Sequence, residues 1–170
     1  MSTAPGAPTD PSRQPDDFLT ELERATRGLL DLNVLALDHI EKRIGLAPLR
    51  ALQALDRLGP SRVTELGDEL GMLPSTASRL SDRLADAGYI TRRVAPTNRR
   101  ATLLELTDGG RAVLDELIAL RVQAFGEVTR YVSETDCAAL IQGARAFTAA
   151  HLKLSERART EAPDRLRRAR

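Results

Sequence analysis

The sequence predicts a mainly α-helical chain with one short β-hairpin, and three observations carry that prediction. Aromatic residues are only 3% of the 170 residues, while 42% are hydrophobic, so the core must be Leu, Val, Ile and Ala. Such a composition suits packed helices better than a large sheet. Apolar residues recur at three- and four-residue spacing through most of the chain, which is the period of an amphipathic helix. Only Tyr89–Val94 and Thr102–Leu106 read as strands, joined by the turn-rich run Ala95-Pro96-Thr97-Asn98-Arg99-Arg100-Ala101.

The first fifteen residues hold Pro5, Pro8, Pro11 and Pro15 among small and polar residues, the composition of a disordered tail. A long helix begins at Asp16 or Asp17, acids that suit the positive end of the helix dipole. Phe18, Leu22, Ala25, Leu29, Leu32, Ala36 and Ile40 form its apolar stripe. Leu30, Val34 and Leu37 widen the stripe beyond what a lone surface helix needs. Pro48 sits in the first turn of a second helix. Leu49, Leu52, Leu55 and Leu58 are its core face, and Gly59-Pro60 stops it.

A short helix, Glu65–Leu70, follows with Thr64 as its cap. Gly67 falls where a second helix would approach, so a small residue is needed there. Gly71 allows the left-handed backbone that ends the short helix. Pro74 takes the first position of the next helix, where its missing N–H costs nothing. Ala77, Leu80 and Leu84 then face inward, leaving Ser75, Thr76, Ser78 and Arg79 outward. Together with the hairpin that follows, this is the pattern of a winged helix-turn-helix, whose second helix enters the major groove of DNA. Leu73 stands where a capping hydroxyl is common, a loss of about 1 kcal/mol.

Charge points the same way. The whole chain carries +1, yet residues 75–100 hold six arginines against two aspartates, a local net of +4. Such clustering is relieved by a polyanion. Arg79 can pair with guanine or grip a phosphate, and the hydroxyls of Ser75, Thr76 and Ser78 can meet base edges or phosphates. Arg93, Arg99 and Arg100 make the wing basic, and its loop arginines suit a narrow minor groove.

Thr107 or Asp108 caps the next long helix, with Val113, Leu114, Leu117, Ile118, Phe125, Val128 and Val132 as its apolar positions. Ser133 and Asp136 resemble a capping box, and Leu140, Ala144, Phe147, His151 and Leu154 share a face of the last helix. From about Glu156 the chain is Arg-rich and broken by Pro163, which predicts a frayed, solvated tail.

Other functions find little support. No Ser/His/Asp arrangement or Gly-rich phosphate loop suggests an enzyme. His39, His151 and Cys137 are the only histidines and cysteine, too few and too scattered for a metal set. No cofactor is expected. A single cysteine excludes an intramolecular disulfide, and Cys137 has no neighbour to activate it. No apolar run approaches ~20 residues, and residues 1–17 lack the features of a secretory signal. The expected location is the cytoplasm, with no membrane partner.

Residues 49–114 carry a set of linked motifs: Glu65-Leu66-Gly67, Ser75-Thr76-Ala77-Ser78-Arg79, Leu84 through Gly88-Tyr89-Ile90 to Arg92, Asn98-Arg99-Arg100, and Leu106-Thr107 to Gly110. This run resembles the winged helix-turn-helix of the MarR family of bacterial transcription regulators, and the flanking helices match that family's layout. The resemblance implies an obligate homodimer. A dimerisation helix would span residues 16–47, the DNA-binding domain 48–107, and further dimerisation helices 108–156, leaving 157–170 as the basic tail. It also implies a pseudo-palindromic operator with half-sites about 10 base pairs apart or slightly more. Asp82 would pair with Arg100 to orient the wing, leaving Arg99 free for the groove. A small aromatic or phenolic ligand is the implied effector, with His39, Arg43 and Arg50 as candidates for its polar end. Three residues depart from the family pattern: Asn98 replaces a wing Asp, Leu73 a capping Ser or Thr, and Gly67 an Ala. The competing expectations are a regulator that needs no ligand and a helical dimer acting through a protein partner. Arg92, Arg93, Arg99 and Arg100 argue against the latter.

Overall fold

A computed structural model describes the backbone of residues 16–95 and 98–168 and the side chains of 17–94 and 102–156. The order is α1 (Asp16–Ile44), α2 (Leu46–Leu58), β1 (Ser61–Arg62), α3 (Val63–Leu70), α4 (Pro74–Asp86), β2 (Ile90–Ala95), β3 (Asn98–Leu106), α5 (Asp108–Thr129) and α6 (Glu134–Arg168). The mainly helical winged helix-turn-helix expected from the sequence is therefore the observed fold. The proline-rich segment 1–15 lies outside the described residues. The chain divides into two units, one ending at Ala124 and one beginning at Phe125.

In the first unit α2 is the centre of the core. Pro48, Leu49, Ala51, Leu52, Ala54 and Leu55 are all buried, so this helix is apolar over most of its circumference, as a central helix must be. Leu58, expected on the core face, is exposed, because the helix ends at Gly59, whose φ of 72° turns the chain away. Around α2 pack Ala36 and Ile40 of α1, Leu66 of α3, Leu80 and Leu84 of α4, Ile90, Leu104 and Leu106 of the sheet, and Val113, Leu114 and Leu117 of α5.

The sheet has three antiparallel strands in the order β1-β3-β2. Strand β1 has no counterpart in the sequence reading, since two residues show no alternation. It pairs Ser61 with Leu104 and Arg62 with Leu103. The hairpin is longer than expected: β3 starts at Asn98, and Ala95 pairs with Asn98 across a register shift next to Val94. Backbone pairing thus takes up most of the expected loop.

Helix α3 starts at Val63, before the expected Thr64 cap. The Glu65 carboxylate accepts the Arg62 N–H at 2.7 Å, which satisfies an amide at that end in place of a threonine hydroxyl. Of the two candidate caps for α5, Thr107 and Asp108, Thr107 is the one used. Its Oγ1 accepts the Gly110 N–H at 3.1 Å and donates to the Gly88 carbonyl at 2.6 Å, fastening the start of α5 to the turn after α4.

In the second unit Ser133 caps α6, accepting the Asp136 N–H at 3.1 Å. The Asp136 carboxylate takes the Ser133 hydroxyl at 2.7 Å and not the Ser133 amide, since Asp is one methylene shorter than the usual Glu. Helix α6 continues through Pro163 to Arg168, where a broken tail was expected. Ala, Arg, Glu and Leu dominate this stretch, and their helix propensity works against the single proline.

Candidate nucleic-acid interface

The turn between α3 and α4 is built by close approach. A Cβ added at Gly67 would stand 3.2 Å from the Ala77 Cβ, so both positions must be small for the two helices to meet. Gly71 takes the left-handed conformation, φ 64° and ψ 34°, and ends α3. Met72 N–H then returns to the Gly67 carbonyl at 2.8 Å. Pro74 is the first residue of α4, and no side chain caps that helix at Leu73.

Helix α4 is held from behind. Ala77, Leu80, Ser81 and Leu84 are buried, and the fully buried Ser81 hydroxyl donates to the Ala77 carbonyl at 2.8 Å. The sequence reading did not single out Ser81. Its place between Leu80 and Leu84 on an inward face was the available signal. Ser75, Thr76, Ser78 and Arg79 are all exposed. Arg79 makes no ion pair among the described residues, so its guanidinium is available to a ligand.

Beside the start of α4 lies an open cleft of about 410 Å³, lined by Val63, Ser78, Arg92, Arg93, Val94 and Thr102. Strand alternation puts Arg92 on the same sheet face as the buried Ile90 and Leu104, and Arg93 on the opposite face. Each arginine has a carboxylate partner. Arg92 Nη2 lies 2.5 Å from Asp82 Oδ1 of α4, and Arg93 Nε lies 3.2 Å from Glu105 Oε2 of β3. The first pair joins the recognition-type helix to the wing. The side chains of Arg99 and Arg100 lie outside the described residues, and so does the expected pair of Asp82 with Arg100. The Arg92 and Glu105 contacts were missed, although the alternation of β2 would have turned Arg92 toward α4.

The three residues expected at a ligand's polar end separate into two groups. On α1, Arg43 Nη2 reaches Glu116 Oε2 of α5, and His39 Nε2 lies 4.0 Å from Glu116 Oε1. Arg50 is exposed on α2 and makes no ion pair among the described residues. Glu116 was not foreseen as the acid between them. Among the described residues no group of His, Cys, Asp and Glu is placed to hold a metal ion, and no helix is long and apolar enough to cross a membrane.

The MarR family profile matches residues 46–102, from the start of α2 into the wing. The HTH-type transcriptional repressor MdtR of Bacillus subtilis is 25% identical over 158 residues, spanning 90% of this chain and 96% of MdtR. YcgE, an uncharacterized HTH-type transcriptional regulator of the same organism, is 32% identical over 91 residues, spanning 50% of this chain and 59% of its own length. Among solved structures, RV1404 of Mycobacterium tuberculosis is 28% identical with a TM-score of 0.66, covering 82% of this chain and 95% of that one. Tm0710 of Thermotoga maritima, a transcriptional regulator, shares the fold with a TM-score of 0.66 at 24% identity, over 79% of this chain and 96% of its own.

Proposed function

Since the chain belongs to the MarR family of DNA-binding transcriptional regulators, we propose that it acts as a homodimeric repressor that reads a pseudo-palindromic operator and is released by a small aromatic or phenolic acid. The observation that carries this reading is the exposed first turn of α4. Ser75, Thr76, Ser78 and Arg79 present three hydroxyls and a guanidinium that makes no ion pair among the described residues, beside a cleft that holds two further arginines. That set can donate to base edges and phosphates at once. In this reading α4 enters the major groove and Arg99 enters the minor groove. In the same reading Arg100 would also pair with Asp82, whose two carboxylate oxygens can serve two arginines.

Dimerisation is supported by apolar surface that a single chain leaves in water. Leu30, Val34 and Leu35 of α1, Ile118 and Val122 of α5, and Phe147 of α6 are all exposed. Large apolar side chains left in water on each of these helices are what an association surface would cover. Repression follows the activity named for MdtR. An acidic ligand would compete with Glu116 for Arg43, and so act on the contact between α1 and α5.

The test begins with selection of genomic fragments that the purified protein retains. The enriched duplex is then titrated at moderate salt. The expected outcome is two chains per inverted-repeat site, with weakened binding when a hydroxybenzoate is added. Binding with no sequence preference would contradict the operator reading, and one chain per site would contradict the dimer.

A further inference from the structure

Among the described residues from α2 to the end of β3, Leu73 is the most exposed large apolar side chain, at 73%. It occupies the N-cap of α4, with φ −63° and ψ 146°. Its carbonyl accepts the amides of Thr76 and Ala77, but its side chain makes no capping bond. A Ser, Thr, Asp or Asn here would satisfy an orphan amide and carry no apolar surface into water. An isolated exposed leucine is ordinary on a protein surface. This one stands at the head of the exposed turn Ser75-Thr76-Ser78-Arg79, at a helix end where a capping hydroxyl would serve the fold and a leucine does not.

Base edges in the major groove offer hydrogen-bond donors and acceptors, which the hydroxyls and Arg79 can meet. Their one apolar feature is the 5-methyl group of thymine. We propose that Leu73 is a specificity-determining residue that packs on a thymine methyl in each half-site. The inference rests on the DNA-binding reading of α4 and assigns part of its sequence preference. Covering one methyl group with apolar surface corresponds to about fourfold in affinity per half-site, or about fifteenfold for two.

The experiment uses the full chain and its selected operator duplex. Thymines are replaced by uracil, one symmetry-related pair at a time, which removes the methyl and keeps every hydrogen-bonding group. The wild-type protein is expected to lose about fifteenfold at one such pair. Leu73→Ser, which restores a capping hydroxyl and should melt no lower than wild type, is expected to be insensitive to uracil at that pair while keeping its dependence on the other positions. Leu73→Met should retain the sensitivity. If no thymine pair is methyl-sensitive in wild type and insensitive in Leu73→Ser, the proposal is wrong. Absence of any selective DNA binding would overturn the underlying reading as well, and would be visible before a single uracil was introduced.

Discussion

Asp82 of α4 and Arg92 of β2 form an ion pair, Oδ1 to Nη2 at 2.5 Å, and it spans the two elements that would touch DNA. The pair is partly exposed, so its direct contribution to stability is small, about 0.2–1 kcal/mol. Its consequence is geometric: the base of the wing is fixed to the recognition helix through a side chain on the inward face of β2.

Asp82→Asn should therefore alter discrimination more than stability. Loss of a negative charge near DNA strengthens non-specific binding, while a looser wing weakens operator binding. The ratio of operator to scrambled-duplex affinity is expected to fall about threefold to fivefold, with a stability change below about 1 kcal/mol. Parallel titrations of both duplexes check this, and an unchanged ratio would mean that the pair does not orient the wing.

In the proposed reading, Glu105 competes with DNA for Arg93. Freeing Arg93 by Glu105→Gln removes an acceptor 3.2 Å away and makes the guanidinium available to a phosphate. The slope of log affinity against log salt should steepen by about one per chain, with tighter binding at low salt. An identical slope would show that Arg93 meets no phosphate.

Gly110 is required by packing. A Cβ there would lie 2.2 Å from the Tyr89 carbonyl oxygen, so either α5 or the turn before β2 must move. Gly110→Ala is expected to destabilise the chain by about 3 kcal/mol. Gly28→Ala, in the exposed middle of α1 with nothing within 4 Å, should stabilise it by about 0.5–1 kcal/mol. Denaturant melts of the two variants should therefore move in opposite directions.

The apolar faces make a separate prediction. Val122 of α5 and Leu35 of α1 are exposed to 64% and 65%, and a glutamate at either would place a charge in the proposed interface. Val122→Glu and Leu35→Glu should sediment as monomers, or dissociate at concentrations where wild type is a dimer, and both should lose operator affinity. Dimers of undiminished stability would place the interface elsewhere.

Much of the reading head was legible because its residues report local backbone needs. Gly71 had to be left-handed, Pro74 had to begin a helix, and Thr107 was one of two residues able to cap one. Each does so. Gly67 was legible for a related reason, as a small residue at a helix crossing. What escaped were contacts between elements distant in sequence. Strand β1 exists only because β3 offers it partners. Arg92 finds Asp82 and Glu116 finds Arg43 through tertiary packing; alternation along β2 gives the side to which Arg92 points, but not its partner. The full extent of α6 escaped because Pro163 was read as a stop, whereas the good helix formers around it carry the backbone on.

The central claim is that the exposed first turn of α4 reads operator DNA, and Arg79 tests it most directly. Equilibrium titration of the selected operator with Arg79→Ala should show at least tenfold weaker binding than wild type, consistent with loss of about 1–3 kcal/mol of base or phosphate contact, while melting temperature and oligomeric state stay unchanged. Equal affinity of the two proteins at moderate salt would contradict the account.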